Sequence, residues 1–266
     1  MMKRILSICA LLMSATLVQS QDQESGFQPA PPQDVRPIRL GFVATPAMTW
    51  LTAENRELDS KGVRGGFSFG VMMDFTIAQS ANYAFSTGLM YNTLDGGRLR
   101  HGDVVPLRGG SPGEFEAVTR DVSLSMQYVQ IPMTLKLKTN EIGYMSYFGQ
   151  LGMQAGLNIG SRENGEFEYF DNPQRVIIER ENANDQTQLF NAGLLVGIGA
   201  EYNVTGNTYL VFGVNYYRGF SNVLKGNVVQ VNEDGRPLIN EDGLPLSGGK
   251  RRAVLSNIAL NLAVIF

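Results

Sequence analysis

The sequence predicts an all-β protein, an eight-stranded antiparallel up-and-down transmembrane β-barrel with long extracellular loops. Three observations carry this. The chain ends on a strict two-residue alternation. Eight strand-like segments follow one another from residue 38. The links between them alternate between short and long, as in membrane barrels with short turns on one rim.

The amino terminus comes first. Met1-Met2-Lys3-Arg4 is a short basic start, and Ile5 to Val18 is an apolar run broken only by small polar residues. Val18-Gln19-Ser20 then offers small residues where a signal peptidase reads. Residues 1–20 are therefore expected to be a secretory signal peptide, cut after Ser20. The run is short for a retained membrane helix. Cys9, the single cysteine, leaves with it. Disulfide, thiol and cysteine–metal chemistry are then excluded from the mature chain. Losing Lys3 and Arg4 takes the formal charge from −3 to −5, with no basic block. That excludes nucleic acid as a partner. No cofactor is expected.

Residues 21–37 are polar and proline-rich and are expected to form a flexible periplasmic lead-in. The barrel is expected over 38–266, with strands near 38–52, 64–78, 82–94, 118–138, 143–160, 187–204, 207–221 and 251–266. Tight turns are expected near Gln79–Asn82, Thr139–Ile142 and Thr205–Asn207. Longer links fall at 53–63, 95–117, 161–186 and 222–250. The short rim is assigned to the periplasm.

Faces follow from alternation. In the second segment Phe67, Phe69, Val71, Met73, Phe75 and Ile77 face lipid, and Ser68, Gly70, Met72, Asp74 and Thr76 face inward. In the fifth, Met145, Tyr147, Leu151, Met153, Leu157 and Ile159 face outward. In the sixth, Phe190, Leu194, Val196, Ile198 and Tyr202 do so, with Gly193, Gly197 and Gly199 inside, where glycine relieves crowding in a narrow barrel. The fourth breaks phase. Val122, Leu124 and Met126 are even, whereas Val129, Ile131, Met133, Leu135 and Leu137 are odd. A β-bulge near Gln127 reconciles them; alternatively, 118–126 stands above the membrane. Trp50, Tyr83, Tyr91, Tyr147, Tyr202, Tyr216 and Phe266 fall near strand ends, as interfacial aromatics should.

The last segment carries Ile258, Leu260, Leu262, Val264 and Phe266 on one parity and mostly small or polar residues on the other. Its length suits a tilted membrane strand. Terminal Phe266 resembles the assembly signal of bacterial outer-membrane barrels, which implies the barrel-assembly machinery as a partner and the cell outer membrane as the location.

Tyr128-Val129-Gln130-Ile131-Pro132-Met133-Thr134-Leu135-Lys136 resembles the Tyr-x-Gln-Ile-Pro-x-x-x-Lys strand of the PorT-like family of bacterial (Bacteroidota-type) outer-membrane β-barrel proteins. Gly149-Gln150-Leu151-Gly152, Gly197-Ile198-Gly199-Ala200-Glu201-Tyr202 and Tyr216-Tyr217-Arg218-Gly219 match its later motifs in order. The resemblance implies an eight-stranded barrel. The family's namesake supports a protein-secretion and gliding system, although the long fourth loop departs from shorter members.

Four inward charges are the main candidate site. Arg39, Asp74, Lys136 and Glu201 all fall toward the periplasmic end of the lumen, where they are expected to pair as a salt-bridge plug or to act as a gate. His101, the one histidine, is expected on a flexible, solvated loop, without the partners a lipid-modifying enzyme needs. The fourth loop repeats Asn-Glu-Asp-Gly-x-Pro-Leu, placing Asp234 and Asp242 in turns that could dock a partner. A metal site is not expected. The resulting reading is a non-enzymatic outer-membrane protein in contact with outer-membrane lipid. Its role is structural, adhesive or accessory, with other envelope or secretion proteins as partners. A narrow porin-like conduit and a lipid-modifying enzyme are the alternatives.

Overall fold

The computed structural model describes residues 36–78, 80–106, 115–169, 175–230, 232, 238–240 and 244–266. The expected signal peptide, the lead-in up to residue 35, and Asp234 and Asp242 lie outside the described residues. The strands are β1 (Ile38–Ala53), β2 (Leu58–Gly62), β3 (Arg64–Thr76), β4 (Tyr83–Pro106), β5 (Phe115–Lys138) and β6 (Met145–Tyr169). They continue as β7 (Arg175–Asn182), β8 (Phe190–Thr205), β9 (Thr208–Gly219), β10 (Asn227–Val229), β11 (Ser247–Lys250) and β12 (Ala253–Ile265).

Eight of these strands close into a ring in the order β4-β3-β1-β12-β9-β8-β6-β5, with β5 returning to β4. Every pairing is antiparallel. Chain neighbours are ring neighbours except at one seam, where β12 meets β1. There Phe266 N donates to Leu40 O at 2.7 Å and Leu40 N to Phe266 O at 3.3 Å. A closed ring leaves no strand edge, which is the condition for crossing lipid with strands.

The side chains obey the alternation. Phe42, Phe69, Leu89, Ile131, Leu151, Ile198, Phe212 and Leu260 all stand outside as an apolar belt, Ile198 being 69% exposed. So large an exposed apolar surface has lipid as its solvent. Trp50 and Tyr216 lie together at the outer edge of this belt, their rings 6.4 Å apart. Inside, glycine makes room for larger groups. A Cβ at Gly197 would collide with Asn215 Oδ1, and one at Gly193 would sit 2.6 Å from the Tyr217 ring. At the β8–β9 turn Gly206 takes φ +48, the left-handed conformation that favours glycine.

The β5–β6 register shifts at Gln127/Tyr128, where Tyr128 faces Asn158 and Gln127 faces Gly160, so the inserted residue is Ile159 on β6. β5 itself keeps its even positions inward on both sides, which corrects the expected bulge on that strand: Val122, Leu124 and Met126 are even because above the membrane the apolar side chains turn inward. β4 bulges between Asn92 and Asp95, opposite Tyr128 and Met126. Both irregularities flank the same level of β5, so the wall turns there. Above it the structure departs from the expected long loops. β4 and β5 each run 24 residues and β6 runs 25, far beyond the ~10 residues that cross a membrane. Much of 95–117 and 161–186 is therefore paired strand, not loop. The backbone keeps bonding outward because β4 and β5 remain in register from Asp95↔Met126 to Pro106↔Phe115. β2 flanks this wall on the β4 side and β7 on the β6 side.

Candidate functional site

At the short-turn end of the lumen Arg39, Asp74, Lys136 and Glu201 converge from four strands. Arg39 and Asp74 are direct cross-strand partners. Arg39 Nη2 donates to Asp74 Oδ2 at 2.8 Å, and its Nη1 donates to Glu201 Oε2 at 2.9 Å. Lys136 Nζ donates to Asp74 Oδ2 at 2.9 Å and to Glu201 Oε1 at 3.2 Å. Each anion thus meets both cations. Asp74, Lys136 and Glu201 side chains are at most 1% exposed, and Arg39 is 10% exposed. Charges so withdrawn from water are tolerated only when paired and hydrogen-bonded.

Four more groups complete the network. Ser86 Oγ donates to Asp74 Oδ1 at 2.6 Å. Lys138 Nζ lies 3.5 Å from Glu201 Oε2. Lys136 sits 4.9 Å above the Phe148 ring and Arg39 5.4 Å from the Tyr209 ring, each held over a π face. Sequence reasoning missed these four. Lys138 shares the inward parity of Lys136 and was open to discovery. The aromatic partners were not, because an inward aromatic has no signature apart from its parity. With Lys138 included, three cations face two carboxylates.

Above this network the lumen is polar. Thr45, Ser68, Asn92, Gln130, Gln150 and Asn261 help line a cavity of about 60 Å³. Thr45 Oγ1 and Asn261 Oδ1 are buried there without a protein partner. A cavity of this size and polarity accommodates a few ordered waters. Higher still, at the level of the bulges, the interior turns apolar. Leu51, Leu99, Leu124, Met126, Tyr128, Tyr217 and Leu255 pack with Val223, Leu224 and Val228 from the last long connection. That cluster closes the outer mouth.

His101 belongs to the rim of this closure. It lies on β4, only 8% exposed, opposite Arg120 in register, so the expected solvated loop position is corrected. Continued β4–β5 pairing buries it. Arg251 Nη2 lies 3.2 Å from His101 Nε2. Arg120 donates to Asp103 Oδ2 at 3.0 Å and to Glu163 Oε1 at 2.6 Å. Burial first, and then the Arg251 cation, push the His101 pKa down to about 3, with Asp103 opposing them. The imidazole is therefore neutral at pH 7, and Arg251 can donate to its ring nitrogen. Among the described residues no group of three or more His, Cys, Asp or Glu side chains is arranged to hold a metal ion.

Residues 19–225 match the family described as outer membrane protein beta-barrel domain. The chain belongs to that family. This outer membrane β-barrel is placed in the outer membrane, with lipid around its apolar belt. Solved structures of similar barrels include Neisserial surface protein A, at 12% identity and TM-score 0.38, covering 86% of this chain and 97% of that one. OprG from Pseudomonas aeruginosa matches at 10% identity and TM-score 0.40, covering 86% and 94%. Ail, the attachment invasion locus protein of Yersinia pestis, matches at 12% identity and TM-score 0.30, covering 86% and 98%. No curated protein matches the chain. In this outer membrane β-barrel the short turns mark the periplasmic rim, as is general for such folds. The charge network is then at the periplasmic end, and the tall β4–β5–β6 wall is outside the cell.

Proposed function

We propose that this outer membrane β-barrel is a non-enzymatic structural, adhesive or accessory protein whose working surface is its external wall. The observation that carries the reading is the double closure of the lumen. The Arg39–Asp74–Lys136–Glu201 network fills one end and the Leu51–Leu99–Tyr128–Leu255 cluster fills the other. An eight-stranded barrel is only wide enough for side chains, so such closures leave no aqueous path. The sequence resemblance to PorT-like barrels supports service to an envelope protein-secretion machine as the accessory role. Two measurements test this. Purified protein in planar bilayers should give no discrete channels. Affinity capture from outer membranes, followed by mass spectrometry, should recover envelope or secretion proteins. Discrete single-channel currents from the wild type would replace this reading with a small-solute conduit.

A further inference from the structure

We infer that the outer face of the β4–β5–β6–β7 wall holds the phosphorylated sugar headgroup of an outer-leaflet glycolipid.

Two grooves lie on this face. The first, of about 340 Å³, is lined by Leu94, Gln127, Ile159, Arg162 and Asn182 among others. Leu94 and Ile159 are the last lipid-facing side chains of their strands, 43% and 55% exposed. This groove therefore begins where the apolar belt ends, at the depth of lipid headgroups. Its remaining walls carry hydroxyl, amide and guanidinium groups, suited to sugar hydroxyls and anions.

A second groove, of about 580 Å³, is lined by Lys61, Arg98, Arg100, Ser123 and Glu166 among others. It lies immediately outward. Ser125↔Arg162 is one cross-strand row, and Arg98↔Ser123↔Asn164 is the next outward-facing row. Strand spacing and rise put the Arg98 and Arg162 Cα atoms roughly 12 Å apart. Arg64 Nη1 also reaches this groove, donating to Ser123 Oγ at 2.8 Å.

Charge selects the occupant. Arg100 is matched by Asp121 at 3.0 Å. Arg64, Arg98 and Arg162 have no carboxylate partner among the described residues. Three guanidiniums without a carboxylate partner among the described residues stand on or beside two adjacent outward rows of a chain whose formal charge is −3. Guanidinium binds phosphate through two parallel hydrogen bonds, and it does so best beside a low-dielectric surface. Because the first groove continues the lipid-facing belt, the occupant is membrane lipid rather than a soluble anion.

The test uses the full-length protein purified from outer membranes in mild non-ionic detergent. The wild type should carry about one phosphorylated glycolipid per chain by native mass spectrometry. Arg98→Gln combined with Arg162→Gln should lower that occupancy at least fivefold. Arg252→Gln, an exposed residue paired with Glu54 at 3.3 Å away from the grooves, should leave it unchanged. In nanodiscs of zwitterionic lipid, adding the phosphorylated glycolipid should raise the unfolding temperature of the wild type but not of the double variant. Its dephosphorylated form should have no effect, nor should inorganic phosphate alone. Equal glycolipid retention by wild type and double variant would overturn the inference, as would an equal shift from inorganic phosphate. The outcome does not depend on whether the lumen conducts, so it separates from the proposal above.

Discussion

Lys136 and Asp74 stand 62 residues apart in the chain, yet the ammonium nitrogen of one lies 2.9 Å from a carboxylate oxygen of the other. Neither is accessible to solvent. The pair joins β3 and β5 over the inner face of β4, the strand between them. It therefore ties three strands together inside the wall as well as matching charge.

Replacing Asp74 with Ala removes the acceptor shared by Arg39, Lys136 and Ser86. Breaking a buried ion pair costs about 3–5 kcal/mol, less where lumen water can reach the stranded cations. Val196→Leu, on the lipid face, should cost far less, because lipid is as apolar as the new side chain. Detergent thermal unfolding should therefore show a clearly larger drop for Asp74→Ala. No channel should appear in bilayers, because the apolar closure at the outer mouth remains. Intact stability together with discrete currents would show the charges to be a gate.

Deletion of Phe266, or Phe266→Asp, should block accumulation in the outer membrane. The residue's backbone makes both hydrogen bonds of the seam's last pair with Leu40, and its side chain is on the lipid face. A charge there meets hydrocarbon or headgroups where an aromatic ring fits. Normal membrane yield of the Asp variant, measured by quantitative blotting of outer-membrane fractions, would refute this.

The alternation itself made most of the fold legible. Strand starts near 38, 64, 118 and 143 could be read because lipid enforces one apolar face, and the phase break near Gln127 marks where β5 leaves the lipid rather than a bulge in it. Above the membrane that enforcement ends. The outer halves of β4, β5 and β6 have water outside and a packed interior, and their charged outward rows look like loops in sequence. Hence 95–106 was not recognisable as strand, and neither was the burial of His101. The four lumen charges were visible as inward polar positions, whereas their connection through Ser86, Phe148 and Tyr209 depends on ring geometry.

Protease added to whole cells should cut on the long-link rim, in the second, third or fourth long link, and spare the turns near Asn140 and Gly206. The paired segments 95–106 and 115–127 should resist, since hydrogen-bonded strand does not fit a protease cleft. Cleavage near Asn140 or Gly206 in intact cells, read by peptide mass mapping, would invert the orientation.

Acidification should loosen the outer closure. The folded pKa of His101 is about 3, below its ordinary value of 6.5, so the opened form binds the proton more tightly. The closed form is fully favoured above about pH 6.5 and loses ground as pH falls toward 3, by up to tenfold in the opening equilibrium per pH unit. Arg251, Asp103, Arg120 and Glu163 surround the site. The protection factors of the Val223–Val228 amides, which correct exchange for its base-catalysed intrinsic rate, should fall between pH 7 and pH 5 in the wild type. Those protection factors should stay flat over that range in His101→Gln.

The apolar cluster at the outer mouth means that one chain is stabilised by two opposite solvents. Below the bulges most large apolar groups point out into hydrocarbon, and the charges and amides point in beside a small buried cluster of Val43, Met72, Phe148, Val211 and Ile265. Above the bulges Leu51, Leu99, Leu124 and Leu255 point in, and the charged rows point out to water. The upper half depends more on the hydrophobic effect in the ordinary sense, and urea weakens that half more directly. The lower half rests on closed backbone bonding in a medium that denaturant enters poorly. Unfolding should then be uneven along the barrel axis. The extracellular tier should melt while the embedded tier stays closed, and a single free energy of unfolding would describe neither.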